Sequence, residues 1–239
     1  MCSQANEVNI KESPAGSGSL FIVATPLGNL KDFTFRAVEI LQKVDIILAE
    51  DTRRAMKLLN HYHIAKPLES YFVGNEYKKQ PLIIRWLKEG KNIALISEGG
   101  TPCISDPGNQ LVQACHHEKL PVIPVPGPSA LTAALSASGI AHIPSLFIGF
   151  LPKSRKKQNK LLKAIIDLEF NIILYESPHR LKKTLILIKE RFGNIKIFLF
   201  KELTKLFEYI NIDNIDSVLE DMDEKVRGEY VLIFNKKII

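Results

Sequence analysis

The sequence predicts an α/β protein made of two domains, and three observations carry that expectation. Short β-branched runs alternate with helical patterns from Leu20 to nearly the end of the chain. The runs are apolar along their whole length, as strands are when helices cover both faces of a mostly parallel sheet. A break at "PVIPVPGPSA", residues 121–130, puts four prolines and a glycine into the alternation, and a domain boundary belongs there.

The first domain is expected over residues 20–126. It opens with the strand "LFIVAT", followed by a helix in which Ala37, Val38, Leu41 and Val44 recur at helical spacing. Next come the strand "DIILAED", a helix through "RRAMKLLNHY", a short strand near "LESYFV", a helix around "LIIRWLKEG" and the strand "NIALIS". After the long loop "SEGGTPCISDPG", the next helix carries Leu111, Val112, Ala114 and Cys115. The second domain, residues 127–239, is expected to repeat this grammar. It runs through the small-residue helix "SALTAALSASG", the strand "LFIGFL", a basic helix from about Arg155 to Glu169 and the strand "NIILYES". A helix with Leu181, Leu185 and Ile188 in register, then the strands "IKIFLFKEL" and "GEYVLIF", complete it.

Composition limits the function classes. With 239 residues, 46% hydrophobic and 24% charged, the chain suits a globular protein with one large core or two modest ones. A formal net charge of +6 favours a polyanionic partner. Cys2, Cys103 and Cys115 form no C-x-x-C pair, which fits a reducing cytoplasm and no disulfide framework. No metal site is expected, because Cys103, Cys115, His116 and His117 match no zinc spacing. Residues 1–19 read as a disordered tail without a secretory apolar region, and no apolar stretch reaches membrane-spanning length. Walker A, G-x-G-x-x-G and H-E-x-x-H patterns are absent.

The chemistry is expected at strand ends. "SEGGTPCISDPG" follows a strand directly, where loops and helix N-termini of open α/β sheets converge on ligands. Gly99 and Gly100 permit close approach or positive φ, and Ser105 or Asp106 is placed to cap the helix that follows. "ATPLGNL", "PGPSA", "YESPHR" and "KELTK" have similar loop chemistry at four further strand ends, and together the five could line one interdomain cleft.

The segments "VATPLGNLKDFTFRAVEIL", "AEDTRR", "GGTPCISDPG", "VPGPSALTAALSASG", "GFLPKS", "YESPHRL" and "KELTKLFE" resemble, in order and spacing, the ribosomal RNA small subunit methyltransferase I family. That family is a branch of the tetrapyrrole methylase superfamily. The resemblance spans roughly Leu20 to Phe234. It implies two α/β domains of the tetrapyrrole methylase type, S-adenosylmethionine in the cleft between them, and a cytoplasmic homodimer. The implied reaction is methylation of the ribose 2′-hydroxyl of a cytidine in the decoding region of 16S ribosomal RNA, within the small subunit and without a metal.

By match to the superfamily's donor loops, the resemblance assigns Leu27, Glu98, Gly100, Thr101, Ile104, Ser129, Ala130, Tyr175 and Thr204 to the donor. Tyr175 is also a candidate for cation–π contact with the sulfonium, against a plain role as a capped core aromatic. Deprotonating a ribose hydroxyl needs a base within hydrogen-bond reach. Glu176, His179, Lys201 and Glu202 are the catalytic candidates, with Glu50 and Asp51 also at strand ends. "ELTK" and "AEDTRR" read equally well as ion-pair networks that join the domains. Lys153, Arg155, Lys156 and Lys157, extended by Arg180 and Arg53, form the expected RNA contact, although such a charge run is also an ordinary solvated face.

Two departures from the family pattern stand out. Ser97-Glu98-Gly99-Gly100 replaces the common Ser-Asp-Ala-Gly, and the chain ends soon after "GEYVLIF", without the small C-terminal extension of many members. Two competing functions remain at this level: methylation of a small tetrapyrrole, and noncatalytic ribosome binding after loss of the donor site through Glu98.

Overall fold

The computed structural model describes residues 14–222 and 226–236, which form two compact units meeting between Ser129 and Ala130. In the first, β1 (Leu20–Val23), β2 (Ile46–Ala49), β3 (Leu68–Ser70), β4 (Ile93–Ile96) and β5 (Val122–Val125) pair in the order β3-β2-β4-β1-β5. Every pairing is parallel. The helices α1 (Phe35–Lys43) and α2 (Thr52–His61) pack Ala37, Leu41, Ala55 and Leu59 on one face. On the other face, α3 (Glu76–Lys88) and α4 (Asn109–His117) bury Ile83, Leu87, Leu111 and Cys115. This explains the uninterrupted apolar runs, since β4 is buried at all four positions.

The connections position the site. From β1 the chain leaves over one face and from β4 over the other, although β1 and β4 are hydrogen-bonded neighbours. Their carboxyl ends therefore flank the topological switch point, where open α/β sheets leave a crevice.

The second unit is a mixed sheet. Its strands are β6 (Ser145–Phe150), β7 (Asn171–Glu176), β8 (Lys196–Lys201), β9 (Tyr209–Asn214) and β10 (Tyr230–Phe234), in the order β6-β7-β10-β8-β9. Only β6 and β7 run parallel, so the mostly parallel expectation holds for the first unit alone. The helices are α5 (Ala130–Ala137), α6 (Arg155–Ile165), α7 (Pro178–Phe192) and α8 (Ile215–Glu220). Ala134 of α5 packs on one face of the sheet, with Phe198, Phe200 and Val231. Leu162, Leu181, Leu185 and Val218, from α6, α7 and α8, pack on the other.

Part of the expected tail needs correction. Residues 1–13 lie outside the described residues and 14–16 are exposed, but Gly18 and Ser19 are tied down: the Gly18 amide donates to Leu87 O at 2.8 Å and the Ser19 amide to Asn92 Oδ1 at 3.0 Å. A Cβ at Gly18 would lie 2.0 Å from Lys91 O, so the segment is pressed against backbone.

The proline-rich break is also partly regular. Val122–Val125 is an edge strand, and an edge tolerates Pro124 because its outer side needs no ladder hydrogen bond.

Candidate functional site

Three strand-end loops of the first unit are stitched together. Thr25, just after β1, and Gly100, just after β4, exchange both backbone hydrogen bonds at 2.9 Å. The Thr25 hydroxyl donates to Ser97 O at 3.3 Å, and the Ser97 hydroxyl to Gly100 O at 3.2 Å. The Thr101 hydroxyl reaches Pro128 O in "PGPSA" at 3.1 Å. These bonds bring Leu27, Gly100, Thr101 and Ser129 onto one set of connected loops.

Glycine is required here for closeness as much as for φ. A Cβ at Gly99 would lie 3.2 Å from Pro26 O, and one at Gly100, whose φ is +87°, would lie 3.1 Å from Leu27 Cδ2. Leu27 and Thr101 are half-buried and Ile104 is exposed. Cys103 and Ser105 both take positive φ, which is uncommon for non-glycine residues.

Neither Ser105 nor Asp106 caps α4, contrary to expectation. Its N-cap is Gly108, whose amide donates to Oε1 of buried Glu76 at 2.9 Å. Glu76 opens α3, 32 residues earlier, and holds the far end of the loop. Sequence reading missed it, because the only available signal was a carboxylate ahead of an apolar helix.

Glu98 forms an ion pair with Arg54, the third residue of α2. The partners sit beyond adjacent strands, since Ala49 pairs with Ile96 in register. Asp51 caps α2, accepting the amides of Arg53 at 2.8 Å and Arg54 at 3.3 Å, and those bonds hold its carboxyl below the ordinary range. Glu50, Asp51, Arg54, Ser97 and Glu98 line a small pocket. Burial first, then the Glu98 charge, raises the Glu50 carboxyl above its ordinary value, with Arg54 partly opposing.

The native state therefore binds the Glu50 proton more tightly than the unfolded chain does. Glu50 contributes stability below about pH 4.5, and that contribution is lost as pH rises through its raised native pKa. Glu50→Gln is expected to raise the melting temperature at pH 7 and to give no gain at pH 4. Thermal melts at both pH values check this, and an equal gain at both would sink it.

In the second unit, the sheet separates residues that the sequence placed together. The Tyr175 hydroxyl accepts the Leu131 amide at 3.1 Å at the start of α5. Its ring meets Phe147 and Phe150 edge-on, with centroids 4.9 and 5.8 Å away. Glu176, the next residue along the strand, points to the α7 side. There it is 1% exposed and accepts from the Ser177 amide at 2.8 Å and the Thr184 hydroxyl at 2.6 Å.

Arg180 turns inward, with Nη2 donating to Leu151 O at 2.7 Å and Nε lying 3.4 Å from Glu176. That geometry withdraws it from the expected basic surface. His179 is exposed near the start of α7.

"KELTK" is a folded turn, in which Glu202 and Thr204 take positive φ. Lys205 donates to Glu202 and Glu229 at 2.9 Å each, and the Glu229 amide donates to Glu202 at 2.9 Å. Burial raises the Glu202 carboxyl, but these bonds outweigh it and leave the group below its ordinary range. The ion pairs of "ELTK" therefore form inside the second unit, among Lys205, Glu202 and Glu229, where the sequence expectation had them joining the domains.

Lys153, Arg155, Lys156 and Lys157 are exposed, with Arg155 bound to Glu190 at 2.6 Å. The Arg53 side chain is 91% exposed. Cys115 is a buried thiol pushed up to about 12 by burial, matching its expected core role.

A doubly wound sheet with rich loops at its switch point defines a ligand-binding α/β class, and the comparisons narrow it. The family model of Tetrapyrrole (Corrin/Porphyrin) Methylases matches residues 19–219. Ribosomal RNA small subunit methyltransferase I of Bacillus subtilis is 45% identical over 217 residues, 90% of this chain and 74% of that protein. Its Thermotoga maritima namesake is 43% identical over 92% of this chain and 99% of that protein.

Among solved structures, a diphthine synthase superposes with a TM-score of 0.74 at 14% identity, covering 93% of this chain and 92% of the other. A cobalt precorrin-4 methyltransferase superposes at 0.69 and 17%, covering 92% and 97%. The chain belongs to the ribosomal RNA small subunit methyltransferase I family of the tetrapyrrole methylases.

Proposed function

We propose that this protein transfers a methyl group from S-adenosylmethionine to the ribose 2′-hydroxyl of a cytidine in 16S ribosomal RNA of the small subunit. Identity above 40% to relatives named ribosomal RNA small subunit methyltransferase I, over nine-tenths of the chain, supports methylation of small-subunit RNA, and the family resemblance adds the cytidine ribose as the acceptor. The first unit's loops fit the donor chemically. Leu27 and Ile104 offer apolar surface, Thr101 a hydroxyl, and the Gly99–Gly100 backbone a close approach.

The donor supplies an already activated methyl on a sulfonium, so the chain's work is positioning and exclusion of water. Orientation of this kind contributes roughly 7–11 kcal/mol in well-ordered systems. Ser129, Ala130, Tyr175 and Thr204 are assigned to the donor by the family resemblance. In this reading Glu98 acts through Arg54, fixing the loop rather than touching the donor.

Of the four base candidates, Glu176 and Glu202 are committed to internal hydrogen bonds, while His179 is exposed and able to meet a hydroxyl. Lys153, Lys156, Lys157 and Arg53 supply the phosphate contacts. Exposed Leu206, Phe207, Ile210 and Ile212, along and beside the edge strand β9, offer an apolar surface for a homodimer. The setting is cytoplasmic, and no helix among the described residues is long and apolar enough to cross a membrane.

The test is transfer of a labelled methyl to isolated small subunits, free RNA and a porphyrinogen, with the labelled nucleotide mapped. Label on a cytidine ribose is the expected result; label on the porphyrinogen alone would overturn it. Charge reversal at Lys156 and Lys157 is expected to weaken RNA binding and flatten its log–log salt slope by about 1.5, with donor affinity unchanged.

A further inference from the structure

A second cavity lies wholly within the second unit, on the sheet face opposite Tyr175. It is half-open, with a volume of about 260 Å³. Strand register builds it: Tyr230 of β10 pairs with both Glu176 of β7 and Lys201 of β8, and Lys201 pairs with Tyr209 of β9. These four residues form one rung facing α7 and α8. The next rung places Leu199 beside Asn211. Leu181 and Val218, from α7 and α8, close the apolar floor, and Asp221 stands at the rim.

The lining chooses among ligands. The cavity falls below the roughly 300–1,000 Å³ of pockets for drug-sized molecules, so a macrocycle is too large and one planar ring is suitable. An apolar floor that includes buried Tyr230, and the exposed ring of Tyr209 beside it, favour a flat, π-faced group. The rim presents an ammonium, an amide and a carboxylate together. A phosphate would meet Asp221, whereas a nucleobase edge offers donors and acceptors side by side.

We propose that this cavity is a nucleobase subsite, in which one unstacked base of the RNA substrate lies against exposed Tyr209, over the floor that buried Tyr230 helps to form, with its edge toward Asn211 and Lys201. The proposal rests on the reading that the substrate is RNA. It gives Lys201 a recognition role in place of the proton-transfer role expected from sequence.

Methyl-resolved NMR of the full chain tests it directly. Cytidine 5′-monophosphate and a small-subunit RNA fragment are each expected to shift the methyl signals of Leu181, Leu199 and Val218. Ribose 5-phosphate should leave them unmoved. Asn211→Leu, at a half-buried edge-strand position, is expected to weaken RNA binding about tenfold while donor affinity stays unchanged. Val218→Trp, which fills the floor, should do the same once its melt shows it folded.

Signals that move with ribose 5-phosphate, or with neither the nucleotide nor the RNA, would overturn the subsite. So would wild-type RNA affinity in both variants. If the wild type methylates no RNA at all, the functional reading fails, and the nucleotide titration still decides whether the cavity takes a base.

Discussion

Glu176→Ala is expected to destabilise the second unit by about 3–5 kcal/mol, the range seen when one member of a buried charged network is removed. The carboxylate is 1% exposed and holds three groups in place: the Ser177 amide at the head of α7, the Thr184 hydroxyl about two turns further on, and the Arg180 guanidinium. Truncation leaves the buried Thr184 hydroxyl and the half-buried Arg180 charge short of a partner. For a chain of this size, the loss corresponds to a drop in melting temperature on the order of 10 °C. Glu176→Gln retains an acceptor for Ser177 and a donor for Thr184, so its drop should be clearly smaller. A catalytic base would behave differently, since both variants would then lose turnover with the melting temperature intact. Thermal melts beside methyl transfer rates separate the two roles.

What was legible in the sequence follows what the residues had to satisfy locally. The apolar runs of β2, β4, β7 and β10 are buried nearly throughout, and a run reports burial on both faces. It does not report direction, so the antiparallel pairing of β8 and β10 was invisible. Strand β9 was missed because Tyr209, Ile210 and Ile212 at the sheet edge are all exposed and leave no core-facing pattern. Helix α3 begins at Glu76, well before its apolar stretch, and its early turns carry Lys78, Lys79, Gln80 and Pro81, which give no apolar period to read.

The strand-end loops were recognisable by composition, but their partners were not. Glu98 finds Arg54 from 44 positions away, and only the register of β2 with β4 brings the two together. Tyr175 and Glu176 show the reverse case. Adjacent in sequence, they emerge on opposite sides of a sheet, as strand geometry requires. "YESPHR" therefore serves both faces of the second unit. Grouping its residues into one site conflicts with the period of two that the strand itself imposes.

Gly108→Ala should damage the first unit's loop more than any other single methyl added there. Gly108 has φ +127°, a region L-residues rarely enter, and its Cβ would lie 2.5 Å from Leu95 Cδ2 and 2.6 Å from Cys103 Sγ. Leu95 is buried in the core strand β4 and cannot retreat without opening the packing around Leu111. The loop end must yield instead, pulling the Gly108 amide away from Glu76. Backbone strain and overpacking together are expected to cost about 2–4 kcal/mol. Because Thr101 and Ile104 ride on the same loop, donor affinity should fall at least tenfold. Gly139→Ala isolates the strain: its φ is +74°, with nothing within 4 Å of the added carbon, so it should cost only about 1 kcal/mol and leave the donor titration unchanged. Equal melting temperatures for the two variants would show that the overlap at Gly108 is relieved cheaply, and that Glu76 does not anchor the loop.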